Sequence, residues 1–238
     1  MFVLVGFAVC LGTSALSGCA TSPTKATTTD VVFVGDSLAE QAAQYLPAMI
    51  APKTLTPQFF GGSAPCDWLN KDLGITPTSV VVISFTGNAI SPCMADGQGG
   101  QLAGQAVVDK YRTDVVALVD EARSAHADVV LVGQPVHGDA AGGNDIVDGL
   151  NAMYAKMAAR SHVSFVDAGH AVENADGSFA ATLPCEPNEQ QCDPSGSNVM
   201  RSDDGLHFCP GSPPPGPCPT YASGAFRFAG AIAEAVNG

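Results

Sequence analysis

Positive charge is scarce in this sequence: ten Lys and Arg stand against 23 Asp and Glu, a net charge of −13 at pH 7. No basic stripe runs along the chain, which argues against nucleic-acid binding. The acidity suits solubility at a cell surface and disfavours anionic polymers as substrates. That inference concerns the protein's field and not its fold. There are eight cysteines and five histidines but no Cys-x-x-Cys pair and no clustered histidines, so a zinc site is not expected. The apolar opening, residues 1–18, is shorter than the roughly 20 residues a spanning helix needs. No internal repeat and no long linker divides the rest, so the roughly 220 residues beyond the opening are long enough for one ordinary domain with a sizeable core.

What is present is an alternation of strand-like and helix-like segments, the pattern of an α/β fold with a parallel sheet covered on both faces. The strand Val31–Val34 leads into a helix over 38–50 that stops before Pro52. A weak strand follows at 55–60, with Pro57 placing it at a sheet edge. The run 80–85 reads as the strongest central strand, and 101–125 as one helix or two. Next come a strand at 127–132, a glycine-rich loop at 133–143, a helix at 145–160 and a strand at 163–166. Residues 167–201 read as long and largely irregular, and 221–236 as a closing helix. Segments of such length without elements are commonly functional or disordered, and the cysteines here favour order.

Two short stretches carry candidate chemistry. In Val31-Val32-Phe33-Val34-Gly35-Asp36-Ser37-Leu38 a buried strand runs into Gly-Asp-Ser and then a helix. Such a turn exposes Ser37 at the carboxyl end of the sheet, where α/β folds hold ligands, and next to a helix N-terminus that favours a developing oxyanion. In Ser202-Asp203-Asp204-Gly205-Leu206-His207-Phe208, Asp204 and His207 stand three apart. A short turn then brings the carboxylate onto Nδ1–H and leaves Nε2 free to accept a serine proton. Asp203 competes for the orienting role at a less standard spacing.

With both ends in view, the chain resembles the SGNH (GDSL-type) hydrolase family, as an exported bacterial lipoprotein member. Gly35-Asp36-Ser37-Leu38 matches its first block in full, and Asp204-Gly205-Leu206-His207 its last. Between them, Phe60-Gly61-Gly62-Ser63 stands where the family places an oxyanion-hole glycine; Gly62 is preferred and Gly61 is the alternative. The third block, Thr86-Gly87-Asn88-Ala89, supplies Asn88 but carries Thr86 at a glycine position and Ala89 at an aspartate position. The resemblance runs from about Val31 to Phe208. It implies a three-layer α/β/α, flavodoxin-like domain over 30–238 with Ser37, His207 and Asp204 as catalytic residues. It also implies an oxyanion hole from Ser37, Gly62 and Asn88.

The opening residues end in Leu16-Ser17-Gly18-Cys19, which resembles a lipoprotein processing site, with Cys19 lipidated and 19–29 as a tether. The leader has no opening positive charge, which leaves the natural start open. Cys10 lies in the leader. Cys66, Cys93, Cys185, Cys192, Cys209 and Cys218 remain, an even number that reads as disulfides in an exported chain. Proximity pairs Cys185 with Cys192 and Cys209 with Cys218, leaving Cys66 and Cys93 to bridge the loops that hold Gly62 and Asn88.

The activity implied is hydrolysis of O-acyl esters, short-chain ones such as acetyl included, through an acyl-enzyme and without cofactor. O-acyl transfer to cell-surface glycans and a non-catalytic surface lipoprotein are the alternatives. The expected partners are a small-molecule, glycan or lipid ester and a membrane reached through the lipid, for a monomer on the outer face of the cell membrane or secreted. His137 reads as a loop histidine on the active-site side, at the surface or in contact with substrate. His126 and His162 read as structural or solvated, Asp167 and His170 as an unused pair, and Trp68 as either lining the pocket or buried beneath its loop.

Overall fold

A computed structural model describes residues 30–211 and 216–238. The expected leader, the tether with Cys19, and positions 212–215 lie outside the described residues. Five parallel strands form one sheet: β1 (Asp30–Gly35), β2 (Thr54–Phe59), β3 (Ser79–Ser84), β4 (Asp128–Val132) and β5 (Val163–Val166). Their order is β2-β1-β3-β4-β5. The chain therefore leaves β1 towards one edge and returns on its other side at β3. That reversal opens a crevice at the carboxyl ends of β1 and β3, where doubly wound sheets bind ligands.

Side-chain alternation along the strands makes the layers. Val31 and Phe33 point with Val80, Val82, Val130 and Val132 towards α1 (Ser37–Ala43), α2 (Leu46–Met49) and α5 (Ser223–Asn237). Val32 and Val34 point the other way with Val81, Ile83, Val129 and Leu131, against α3 (Gln105–Ser124) and α4 (Asn144–Met157). Each such buried side chain contributes about 1.5–3 kcal/mol relative to exposure. The three-layer α/β/α arrangement is thus set by the strands' strict two-face pattern. Pro57 sits in β2 at the sheet edge, as its missing N–H requires.

Three expectations are refined. The helix expected over 38–50 is two pieces, because Pro47 has no N–H to give and its ring would collide with the carbonyl of Ala43. The stretch 101–125 holds one helix, α3, which begins only at Gln105. The stretch 167–201 is more ordered than its composition suggested. It contains a 3-10 turn at Gly169–Val172 and an antiparallel pair, β6 (Thr182–Pro184) with β7 (Ser197–Val199). The pair is fastened to α5 by Arg227, whose guanidinium donates to Glu189 (2.9 Å) and to the carbonyl of Pro184 (2.6 Å).

All three cysteine pairings are present: Cys66–Cys93, Cys185–Cys192 and Cys209–Cys218. They suit an oxidising, extracytoplasmic environment. Among the described residues no helix is long and apolar enough to cross a membrane.

Candidate active site

β1 ends at Gly35, where a side chain would strike Ala39 Cβ at 2.4 Å and the Ser84 carbonyl oxygen at 2.5 Å. The chain can turn this tightly between β3 and α1 only with glycine. Asp36 then caps α1, accepting from the Leu38 N–H at 3.1 Å, and Ser37 is the first helical residue.

At the other end of the chain the loop 202–207 is closed by the Ser202 N–H on the His207 carbonyl (2.7 Å). Gly205 turns within it at φ +71, and its carbonyl accepts from the Gly138 N–H at 2.8 Å, so the loop after β4 braces it. His207 Nδ1 lies 2.7 Å from Asp204 Oδ2, and His207 Nε2 lies 3.0 Å from Ser37 Oγ. Asp203, the competitor, is exposed. Burial works against the Asp204 carboxylate. The Ser202 hydroxyl, the His207 ring and the N–H groups of His207 and Leu206 nevertheless hold it well below the usual carboxylate range. It is therefore anionic at neutral pH and fixes the His207 tautomer with Nε2 towards Ser37.

The loops after β2 and β3 complete the crevice. Phe60 to Ser63 form a turn closed by the Ser63 N–H on the Phe60 carbonyl (3.2 Å), with Gly62 at φ +79. A side chain at Gly62 would meet Ile90 Cδ1 at 2.6 Å, whereas one at Gly61 would come within 3.9 Å of Ser37 Cβ. Gly62 thus makes the turn possible, and Gly61 is the glycine facing Ser37. Asn88 Nδ2 donates to Asp36 Oδ2 at 2.9 Å. Trp68 is buried beneath the turn, its Nε1 directed at Ser63 Oγ (3.4 Å), and does not open onto the crevice. Cys66–Cys93 joins the segments following these two loops. Asp67 reinforces it by accepting from the Ser91 hydroxyl (2.7 Å) and the Ala64 N–H (2.8 Å).

Several residues to which the sequence motifs gave no role hold this geometry. Asp36 is fully buried and accepts from Leu38, from both the N–H and the hydroxyl of Thr86 (2.7 Å each) and from Asn88. Burial pushes its carboxyl up, opposed by those Thr86 and Leu38 hydrogen bonds and by nearby His207. Thr86, the departure from the family's third block, thus contributes its hydroxyl here, and the left-handed turn falls on Gly87 at φ +101. Tyr111 of α3 donates to the Asn88 carbonyl (2.9 Å), and Gln41 of α1 accepts from the Phe208 N–H (2.8 Å). Asp36 could have been suspected from its N-cap position. Tyr111 and Gln41 leave no local signal.

His137 is buried rather than on the surface. Its Nδ1 meets the Gly142 carbonyl at 2.8 Å. His162 pairs with Asp128 at the opposite end of the sheet (2.9 Å), and His170 faces Glu173 at 3.6 Å, away from Ser37. Among the described residues no group of three or more His, Cys, Asp or Glu side chains is placed to hold a metal ion.

A buried parallel sheet in flavodoxin-like order, with a serine after β1 and an Asp-x-x-His loop facing it, is the α/β fold of GDSL/SGNH hydrolases. Solved structures of that fold superimpose on the chain. A GDSL-like lipase from Bacteroides thetaiotaomicron does so with TM-score 0.56 at 14% identity, covering 88% of each chain. An acetyl xylan esterase gives 0.57 at 15%, over 87% of this chain and 100% of its own. The C-terminal catalytic domain of Streptococcus pneumoniae peptidoglycan O-acetyltransferase A gives 0.51 at 18%, over 89% and 93%. The chain belongs to the family described as "Protein of unknown function (DUF459)", whose model matches residues 67–212. No curated protein matches it.

Proposed function

We propose that this protein is a serine acyl-ester hydrolase acting on O-acyl groups, short ones such as acetyl among them. The observation that carries the reading is the continuous chain of contacts from Asp204 Oδ2 to His207 Nδ1 and from His207 Nε2 to Ser37 Oγ. A serine hydroxyl is a weak nucleophile at its own pKa and needs such a base. Ser37 attacks the ester carbonyl as His207 takes its proton, and His207 returns that proton to the leaving alcohol. Water then releases the acyl group by the same route. The backbone N–H of Ser37, the Asn88 amide and a backbone N–H of the Gly61-Gly62 turn would stabilise the oxyanion, that of Gly62 or of Gly61, the glycine facing Ser37. Removing one such donor elsewhere costs about 10²–10³ in turnover.

Acyl transfer is the second reading. The same acyl-enzyme can be resolved by a sugar hydroxyl, and the fold is shared with the peptidoglycan O-acetyltransferase domain named above. The export reading goes with it: Cys19 as a lipid anchor, residues 19–29 as a tether, and a domain over 30–238 presented outside the cell, in keeping with the three disulfides.

The test compares the chain beginning after Cys19, made in an oxidising compartment, with its Ser37→Ala variant on p-nitrophenyl acetate, butyrate and a long-chain ester. Wild type is expected to exceed the variant by about 10³-fold or more. Equal rates from folded proteins on all three esters would overturn hydrolysis of simple esters. Diversion of acyl groups from water when a glycan acceptor is added would select the transferase reading.

A further inference from the structure

Arg201 sits where the loop bearing Asp204 and His207 begins, and Phe208 where it ends. The guanidinium carbon lies 5.2 Å from the centre of the Phe208 ring, so the two side chains meet across the loop's closed stem. Arg201 is only 3% exposed, and none of its three side-chain nitrogens has a hydrogen-bond partner in the protein. Burying a cation costs several kcal/mol unless partners offset it, and an apolar residue of similar length would fill the same space without that cost. The charge persists nevertheless: burial brings the guanidinium down to about 10, with Glu173 and Asp204 acting in the other direction, so it is cationic at neutral pH.

The charged and titratable groups around Arg201 come from three segments. Glu173 follows β5 and is held in place by the Val136 N–H on its Oε1 (2.8 Å). His137, on the loop after β4, is buried with an unpartnered Nε2, and its charged form is disfavoured by burial and by Arg201 and His207. Asp204 and His207 lie on the loop that Arg201 opens. One fixed cation therefore acts on two carboxylates, Glu173 and Asp204, and on the His137 imidazole, and no hydrogen bond spends its charge on a single partner; His207 is faced in turn by Asp204, Asp36 and His137.

We propose that Arg201 is a positioning residue for the Asp204–His207 pair, its buried cation seated on the Phe208 ring at the stem of their loop, where it draws on the Asp204 carboxylate and opposes a second positive charge beside it. The inference rests on reading Ser37 and His207 as the reacting pair. Phe208 supplies the face on which the cation is held, a favourable contact for guanidinium. Removing the cation favours the protonated form of a neighbouring imidazole, and removing the facing Glu173 anion does the opposite.

The experiment uses the full chain with isotopically labelled histidine, and Arg201→Met, Arg201→Lys and Glu173→Gln variants checked for folding by circular dichroism. Ring signals of His137 and His207 are followed by NMR against pH, a readout that needs no substrate. The expected result is a His207 titration displaced to higher pH in Arg201→Met, restored in Arg201→Lys and displaced to lower pH in Glu173→Gln. The acid limb of kcat/KM moves in the same directions, and kcat of Arg201→Met falls about tenfold with KM nearly unchanged. Wild-type titrations in both Arg201→Met and Glu173→Gln, or identical behaviour of the Met and Lys variants, would overturn the proposal. If Arg201→Met does not fold, the Glu173→Gln titration decides alone. Absence of Ser37-dependent turnover in wild type would sink the hydrolase reading while leaving the titration as a test of the charge.

Discussion

Ser37, Asn88 and the Phe60–Ser63 turn follow the carboxyl ends of β1, β3 and β2, three strands paired in register in the parallel sheet. Asp204 and His207 sit on a segment outside that sheet, which follows the β6–β7 pair and is flanked by two short disulfide loops, Cys185–Cys192 before it and Cys209–Cys218 after it. The first half of the site takes its position from β-structure, and from one buried carboxylate, Asp36, that gathers the loops. The second half takes its position from many local hydrogen bonds, from Gly138 and from covalent staples. A nucleophile and its oxyanion donors must be fixed relative to one another, and a sheet provides that. A base carried by a loop needs other restraints.

The most damaging disturbance of the sheet-borne half is expected from Asp36→Ala. It removes the acceptor of the Thr86 N–H and hydroxyl, leaving buried donors unpaired at about 1–3 kcal/mol each, and takes from the Asn88 amide its shortest hydrogen bond. Turnover of p-nitrophenyl acetate should fall by about 10²-fold or more as the Asn88 amide loses its orientation, with a lowered thermal midpoint. Near-wild-type kcat in this variant would mean that Asn88 holds its place without Asp36.

The disulfides allow the two halves to be separated. Cys66 and Cys93 stand 27 apart and Cys209 and Cys218 nine apart, so the chain-entropy account gives the longer loop about 1 kcal/mol more stabilisation. Cys66→Ser with Cys93→Ser should therefore lower the urea midpoint more. Cys209→Ser with Cys218→Ser should lower turnover more, because the bridge begins two residues after His207. If one pair dominates both measurements, the division into two kinds of support is wrong.

The smallest effect concerns acid. The folded Asp204 carboxylate lies below its ordinary value, so its contribution is complete above the unfolded value, near 4, and is lost as pH falls from there through the folded one. Asp204→Asn should flatten the decline of thermal midpoint below about pH 4, by a modest amount because the carboxylate is partly exposed to solvent. An unchanged acid limb would show that Asp204 contributes positioning without pH-dependent stability.

Much of this was readable along the chain because it is local. Strand runs such as Val80–Ile83, the spacing of Asp204 and His207, and cysteines a few positions apart each encode their outcome within a short window. Asp36 accepts from Thr86 across 50 positions, and Phe208 donates to Gln41 across 167. No periodicity records such pairs. Pro47 was legible in principle, and its effect on the 38–50 helix follows from its missing N–H. The β6–β7 pair is only three residues on each side, too short for alternation to register. Arg201 showed nothing by composition, since its oddity lies in what surrounds it.

The hydrogen bond from the Phe208 N–H to Gln41 has a consequence for motion. Gln41 is on the same short helix that begins with Ser37, so the residue after the base is moored to the element that carries the nucleophile. When thermal fluctuation shifts α1 against the sheet, Ser37 and His207 travel together. Their 3.0 Å separation is then less exposed to slippage between a loop and a helix 170 positions away. A loop that shares its carrier with the group it must meet can be long and irregular elsewhere and still arrive at a fixed place.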